Sequence, residues 1–325
     1  MTRKPKAKPL AETEIPTAYS LEKHGVTQSI LSLFGDCRFA AELMLQGWGS
    51  PSPRRALQFG SLFHALLENW YAASIARRGS DPGEIFRATA KAWEKKAAIA
   101  GDDPQEIQTD LGMASVMFPG YCKRWEKEDA KKKWIAVESL FDYQKFSYRL
   151  RGKMDGAFKA KDGSVWLLET KTTSVISDEQ LQLQLAFNFQ NLFYLLALAH
   201  RLSVDPAGVL YNIIRKPQIG RGEDRSSPEF LKRLKEDIAA RPEFYFVRYE
   251  ISYPAMVRTR FAEELFLKLK AFAAWRNGII PTYRNEMACL KKQWSCNFLP
   301  VCAAGGDPEK AGFKRNRKLF SELEE

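Results

Sequence analysis

The sequence has no apolar run long enough to cross a bilayer and no recognisable signal peptide. A protein that stays in the cytoplasm is expected, with no membrane partner. No short-period repeat is visible, so nothing points to a solenoid or a propeller. Cysteine is scarce, at five in 325 residues, and no two of the five make the C-x2-C pair of a zinc ribbon. Acid is in deficit: 50 Lys and Arg against 39 Asp and Glu leave a net charge of +11. Such a balance suits a polyanionic partner, nucleic acid first, although basicity alone does not separate DNA from RNA or a membrane surface. An RNA-binding aromatic motif is absent. What remains is an ordinary globular composition, 45% hydrophobic and 27% charged, with apolar material enough for one large core or a core with a helical addition.

Five regions follow along the chain. Residues 1–26 read as a basic arm without fixed structure, either a solubilising terminus or a DNA contact; the first fifteen, MTRKPKAKPLAETEI, are charged and carry proline. Residues 27–130 are helical. A first helical stretch, 27–46, breaks at Gly35-Asp36 with Cys37 just after, and a second, 54–77, carries His64 among apolar neighbours. A single helical histidine is more often packed than ligating. Two more helices are expected at 82–98 and 104–129, the latter with Cys122 as a small buried apolar residue. Residues 131–280 hold the strands, at 134–144, 146–160, 165–173, 208–215 and 243–252. Between and after them come a helix at 178–200 with Asp178 as its N-cap, a charged loop at 220–227 that is expected to be flexible, and a helix at 255–277. Strands mixed with flanking helices indicate an α/β domain. Residues 281–304 hold a cysteine segment, and 305–325 a charged tail.

The chain is organised around 151–194. An alternating run ends near Asp155, a Lys161-Asp162-Gly163 turn follows, and a dense apolar run ends in Glu169-Thr170-Lys171. Alternation around Asp-Gly predicts a β-hairpin. Glu169 and Lys171, two apart, leave the same face of their strand, and hairpin pairing brings Asp155 near Glu169. Two carboxylates at one place repel unless a cation neutralises them, and hard oxygen donors suit Mg²⁺ or Mn²⁺. The alternative is a solvated strand end beside a turn acid. Gln190 and Tyr194, i and i+4 on the next helix, share a face and can reach one ligand or simply mark a helix boundary. Glu138 on the neighbouring strand either approaches the same site or is structural. Cys289, Cys296 and Cys302 fall within fourteen residues. In a cytosolic chain such a cluster more often holds metal or an iron–sulfur centre than a disulfide, and Cys37 can supply a fourth thiolate. Three packed cysteines are the alternative.

Taken in order, Cys37 in SLFGDCRF, His64 in FGSLFHALLE, Asp155 in RGKMDG, Glu169-Thr-Lys171 in LLETKTTS, Gln190-x3-Tyr194 and the trailing RNEMACLKKQWSCNFLPVC resemble the PD-(D/E)XK nuclease superfamily. Within it they resemble the RecB-like branch of CRISPR-associated and phage exonucleases with iron–sulfur clusters, and LYNIIRKP is similar to phage-type members. Met154 stands where proline precedes the acid in many members. The resemblance implies a restriction-endonuclease-like core, a mixed central sheet flanked by helices, with an N-terminal helical region and a C-terminal cysteine segment. It implies a metal-dependent DNA exonuclease of phage-type or bacterial recombination, repair or replication, acting on single strands or duplex ends. A single-strand-annealing or recombination protein is an expected partner, and an oligomer is compatible. Asp155, Glu169, the Thr170 carbonyl and His64 are the implied Mg²⁺ or Mn²⁺ ligands. Lys171 would orient water or offset charge, and Gln190 and Tyr194 would position DNA or the nucleophile. Cys37, Cys289, Cys296 and Cys302 are the implied ligands of a [4Fe–4S] cluster, with zinc as the chemical alternative. The rival class is a nuclease-like DNA-binding subunit that has lost catalysis.

Overall fold

A computed structural model of the chain describes residues 19–49, 55–76, 81–174, 178–220, 224–291, 294–315, 319–320 and 323. In chain order, α1 (Leu21–His24), α2 (Gln28–Asp36) and α3 (Arg38–Leu45) precede a two-residue strand, β1 (Trp48–Gly49). Three long helices follow: α4 (Arg55–Ile75), α5 (Pro82–Ala100) and α6 (Pro104–Asp129). Then come β2 (Lys133–Lys145), β3 (Tyr148–Lys159), β4 (Val165–Thr173), α7 (Asp178–Leu185), α8 (Phe189–Leu202) and β5 (Gly208–Arg215). The remainder is α9 (Pro228–Ala240), α10 (Pro242–Tyr245), β6 (Phe246–Ile251), α11 (Ala255–Arg276), a 3-10 turn (Glu286–Ala288), β7 (Leu290–Lys291), β8 (Trp294–Ser295), α12 (Leu299–Ala303) and β9 (Lys314–Arg315). Two compact units result, one of residues 52–270 and one of residues 1–51 with 271–325.

The larger unit is built on a five-stranded sheet in the order β2-β3-β4-β5-β6. Its β4–β5 pair is parallel and the other pairs are antiparallel. A parallel neighbour cannot be reached by a tight turn, which is why the α7–α8 crossover sits between those two strands. The β3–β4 hairpin closes at Gly163, whose φ of +89° a side chain would resist. Alternation sorts the strands by face. Leu168, Leu210, Phe158 and Trp134 join Phe63, Tyr121, Phe118 and Phe230 in one apolar core with α4, α6 and α9. At about 25 cal/mol per Å² of apolar surface removed from water, a core of this kind dominates the unit's stability. Glu169 and Lys171 therefore leave the other face, toward α8, whose Phe193 packs on Phe141 of β2.

One charge lies inside that core. Arg248 of β6, 3% exposed at its side chain, bonds both Asp129 oxygens at 2.6 and 3.0 Å and the hydroxyls of Tyr121 and Tyr71 at 2.7 and 3.0 Å. Its plane also lies 4.2 Å from the Trp125 ring. A buried guanidinium is tolerable only when its donors find acceptors, and here α4, α6 and β6 together supply them.

Several expected elements differ in detail. The helix expected over 178–200 is two helices. Asn188 turns extended and accepts from Asn191 N at 2.9 Å, so it caps α8, while Asp178 is the first residue of α7 and not the N-cap of one long helix. The strand expected at 243–252 starts at Phe246, after the short α10 opened by Pro242. Of the loop expected at 220–227, residues 221–223 lie outside the described residues.

In the smaller unit, Thr27 caps α2 through Ile30 N at 3.3 Å, and the chain breaks at Cys37 before α3 as its Gly-Asp signal indicates. The arm expected over 1–26 falls outside the described residues up to 18, but its end is ordered. Tyr19 and Val26 are buried, and Ser20 caps α1, because apolar side chains there find a surface that the charge count does not reveal. The charged tail expected from 305 is likewise partly built in. β9 pairs with β1, and Phe313, Phe320 and Leu323 are buried.

Candidate active site

Four elements of the larger unit bring side chains to one place. Thr170 N–H donates to Asp155 Oδ2 at 2.6 Å, which fixes that carboxylate across the β3–β4 hairpin. His64, from α4, lies with Nδ1 3.7 Å from Asp155 Oδ1 and 3.7 Å from Glu138 Oε1. Glu138 Oε2 is 2.8 Å from Lys153 Nζ. On β4, Lys171 Nζ lies 2.5 Å from Glu169 Oε1 and donates to Gln190 Oε1 of α8 at 2.9 Å. Tyr194, one turn on, sets its ring edge-on to Phe141. Asn212 of β5, buried, donates to Thr170 Oγ1 at 3.2 Å and accepts from Arg248 at 3.3 Å, so the interior arginine network ends at the residue that holds Asp155.

Glu169 is 1% exposed, and neither of its oxygens has a hydrogen-bonding partner, the ammonium of Lys171 aside. Burial pushes its pKa up to about 7, partly offset by Lys171 and reinforced by Asp155. Burial raises Asp155 too, against His64 and Lys171. At His64 burial opposes the charge, but Asp155 and Glu138 outweigh it and the pKa rises to about 9. Lys171 follows the same logic: burial opposes its charge, while Glu169 and Asp155 hold the pKa above the usual lysine range. Burial likewise opposes the charge of Glu138, and His64 and Lys153 overcome it to keep its pKa low. Carboxylates this crowded and this dry need positive charge, and protons and lysines supply it here. Among the described residues, His64, Glu138 and Asp155 form a group whose donor atoms all lie within 4.8 Å of one another, as a metal ion requires. Cis donors on an octahedral ion at about 2.1 Å sit about 3.0 Å apart and trans donors about 4.2 Å, so the 3.7 Å separations fit with small adjustments. The donor set, two carboxylates and an imidazole with Glu169 beside them, fits a hard divalent cation.

A family model for the PD-(D/E)XK nuclease superfamily matches residues 26–303. The chain belongs to this superfamily. Its PD-(D/E)XK acids and lysine are Asp155, Glu169 and Lys171, and its mixed five-stranded sheet between helices has the restriction-endonuclease-like arrangement of such proteins. The superfamily typically uses divalent metals and acts on DNA. Among solved structures, the chain is similar to a candidate exonuclease from Eubacterium rectale, with 12% identity over 93% of this chain and all of the other and a TM-score of 0.49. A second solved structure, SSO0001, aligns with 15% identity over 85% of this chain and 95% of the other, with a TM-score of 0.28. Scores under 0.5 add nothing to the family assignment. No curated protein sequence matches the chain.

Of the residues singled out from the PD-(D/E)XK sequence, the fold gathers His64, Asp155, Glu169, Thr170, Lys171 and Gln190, with Tyr194 at the margin. Glu138, left open between site and scaffold, stands inside the group. Lys153 and Asn212 were not anticipated, although each left a signal. Lys153 is two residues before Asp155 on the same strand face, and Asn212 is a lone amide in the apolar run GVLYNIIR.

The smaller unit holds a second constellation. Cys37, Cys289, Cys296 and Cys302 line one cavity of about 230 Å³ with Phe39, Arg284 and Asn285. Asn285 N–H donates to Cys37 Sγ at 3.4 Å, and the Asn285 side chain bonds Asp36 O at 2.7 Å. Cys122, in the larger unit, is buried apart from them, and burial holds its thiol well above the usual range. Among the described residues no three cysteine sulfurs lie within 4.8 Å of one another.

Proposed function

We propose that the protein is a divalent-metal-dependent deoxyribonuclease that hydrolyses phosphodiester bonds as an exonuclease, in DNA recombination, repair or replication of bacterial or phage type. The observation that carries this reading is the convergence of His64, Asp155, Glu169, Lys171 and Gln190 on one end of the core sheet, with Glu169 buried and lacking hydrogen-bond donors. Asp155, Glu169, His64 and the Thr170 carbonyl would hold Mg²⁺ or Mn²⁺; when bound, such an ion polarises the scissile phosphate and acidifies water. Lys171 keeps its proton beside the two acids and would place that charge against the phosphate as negative charge builds there. Gln190 fixes the direction of the Lys171 ammonium, and Tyr194 closes the edge of the site where a strand would pass. The excess of 11 positive charges supports backbone contacts that are strongly salt-dependent and indifferent to sequence. Exonuclease action, single strands or duplex ends as substrate, and a strand-annealing or recombination protein as partner rest on the likeness of the motifs to the RecB-like and phage branch.

For the four cysteines we propose a [4Fe–4S] cluster in preference to zinc. A zinc ion with four thiolates at about 2.3 Å would hold the sulfurs about 3.8 Å apart, whereas a cubane needs them spread more widely around a larger centre. The spread of the sulfurs and the cavity among them favour the second. Its role on this reading is to hold α2 and α3 to the C-terminal segment.

The test is digestion of end-labelled linear and closed circular DNA with Mg²⁺ or Mn²⁺, wild type beside Lys171→Ala and Glu169→Ala. Loss of linear DNA only, abolished in both variants, is the expected result. A cluster-loaded wild type that binds DNA and cuts none would establish the catalytically silent binding subunit instead.

A further inference from the structure

Glu138 occupies its place at a conformational cost. It sits in the middle of β2 with a φ of +41°, a left-handed backbone that non-glycine residues seldom adopt in a strand. The neighbouring register explains how: the β2–β3 ladder shifts between Trp134 and Ala136, then runs Val137 against Gly156 and Ser139 against Met154. Glu138 thereby faces Asp155, and its side chain, 11% exposed, turns to His64 on one side and Lys153 on the other. An ordinary strand residue would need no such arrangement to make a surface ion pair.

Its relation to the other acids is specific. His64, Glu138 and Asp155 form a mutually close donor group, and Glu169 is not a member of it. Asp155 has one oxygen toward His64 and the other on Thr170 N–H, at the side of β4 that carries Glu169. The buried Glu169, without hydrogen-bond donors, is a separate and independent sign that positive charge belongs at this second position. Each outer acid has its own lysine, Glu138 with Lys153 and Glu169 with Lys171, and Asp155 stands between the two pairs.

We propose that Glu138 is a metal ligand, and that the site takes two divalent cations bridged by Asp155, one held by His64 and Glu138 and one by Glu169. The proposal rests on the metal-dependent reading above and extends it. Two ions about 3.5–4 Å apart can stabilise both the attacking and the leaving oxygen of an in-line phosphoryl displacement. Lys153 is then the occupant of the Glu138 carboxylate only while the ion is away.

The test is Mn²⁺ binding itself, by calorimetry and by the electron paramagnetic resonance of bound against free ion, in wild type, Glu138→Gln and Lys153→Ala. Wild type is expected to bind two ions per chain and Glu138→Gln one. Lys153→Ala is expected to keep both, bound at least as tightly, because removing the ammonium frees the carboxylate. Should Glu138→Gln fold poorly in the absence of metal, Glu138→Asp keeps the charge and is expected to weaken one ion by about tenfold or more. Two ions retained in Glu138→Gln, or a single ion in wild type, would overturn the proposal and leave the metal-dependent reading standing. An equal loss in Lys153→Ala and Glu138→Gln would reduce Glu138 to a partner of Lys153. A wild type that binds no Mn²⁺ would remove both readings at once.

Discussion

Metal binding at the His64–Asp155–Glu169 site should release protons, and the number is fixed by the metal-free charges. His64 is pushed up to about 9 and Glu169 to about 7, against ordinary values of 6.5 and 4.5. At pH 7 the pair then carries about 1.5 protons, about 1.0 on His64 and 0.5 on Glu169; at pH 8 it carries about 1.0, and at pH 10 about 0.1. A divalent ion needs the imidazole neutral and the carboxylate ionised, so these protons must leave as it binds. Calorimetric titration of Mg²⁺ or Mn²⁺ in buffers of different ionisation enthalpy counts them directly. Both groups are raised in the folded, metal-free protein, so the sign of the linked stability is the same for each. Their stabilising protons are fully present below the unfolded values and are lost as pH rises through about 7 and about 9. The melting temperature in chelator should accordingly fall between pH 5 and pH 9, and the gain on adding metal should grow over the same range. For His64, whose side chain is 30% exposed, the contribution lost is on the order of 3 kcal/mol. Release of about 0.3 proton or fewer at pH 7 is what an unperturbed histidine and glutamate would give, and would refute the reasoning.

Three other outcomes follow from named contacts. Glu169→Gln should raise the metal-free stability, by about 1–2 kcal/mol in urea denaturation, while abolishing cleavage, because the buried charge it removes serves the site and not the fold. Arg248→Leu should destabilise by about 3–5 kcal/mol in the same assay, since it strands Asp129 and two tyrosine hydroxyls in the core; a loss under 1 kcal/mol would mean the network is hydrated. Cys296→Ser should lower soluble yield and brown colour together, and a well-folded, colourless, fully active variant would discard the iron–sulfur assignment.

Much of the fold follows from local signals. The helices over 28–45, 55–75, 82–100 and 104–129 follow apolar periodicity and caps such as Thr27 and Asp103. The hairpin follows from alternation and Asp162-Gly163, and from it the meeting of Asp155 with the Glu169 strand. Where the reading fell short, the cause was chain outside the window being read. Asn188 divides one periodic run into α7 and α8 by a capping geometry that periodicity does not register. Tyr19, Phe313, Phe320 and Leu323 lie in charged surroundings and are buried by residues distant in sequence.

The sequence by itself therefore determined the acids, the lysine and the thiols, because period two on a strand and i, i+4 on a helix state which side chains share a face. Tertiary structure alone decided which of those faces meet. It carried His64 across from α4 to within 3.7 Å of two carboxylates, turned Glu138 inward through a left-handed residue, and set the interior Arg248 behind Thr170. Such meetings depend on register, crossover and helix placement, which are properties of the whole packed core. The protonation of the site is decided there too, since burial and neighbouring charge, and not residue type, move His64 and Glu169 from their ordinary values.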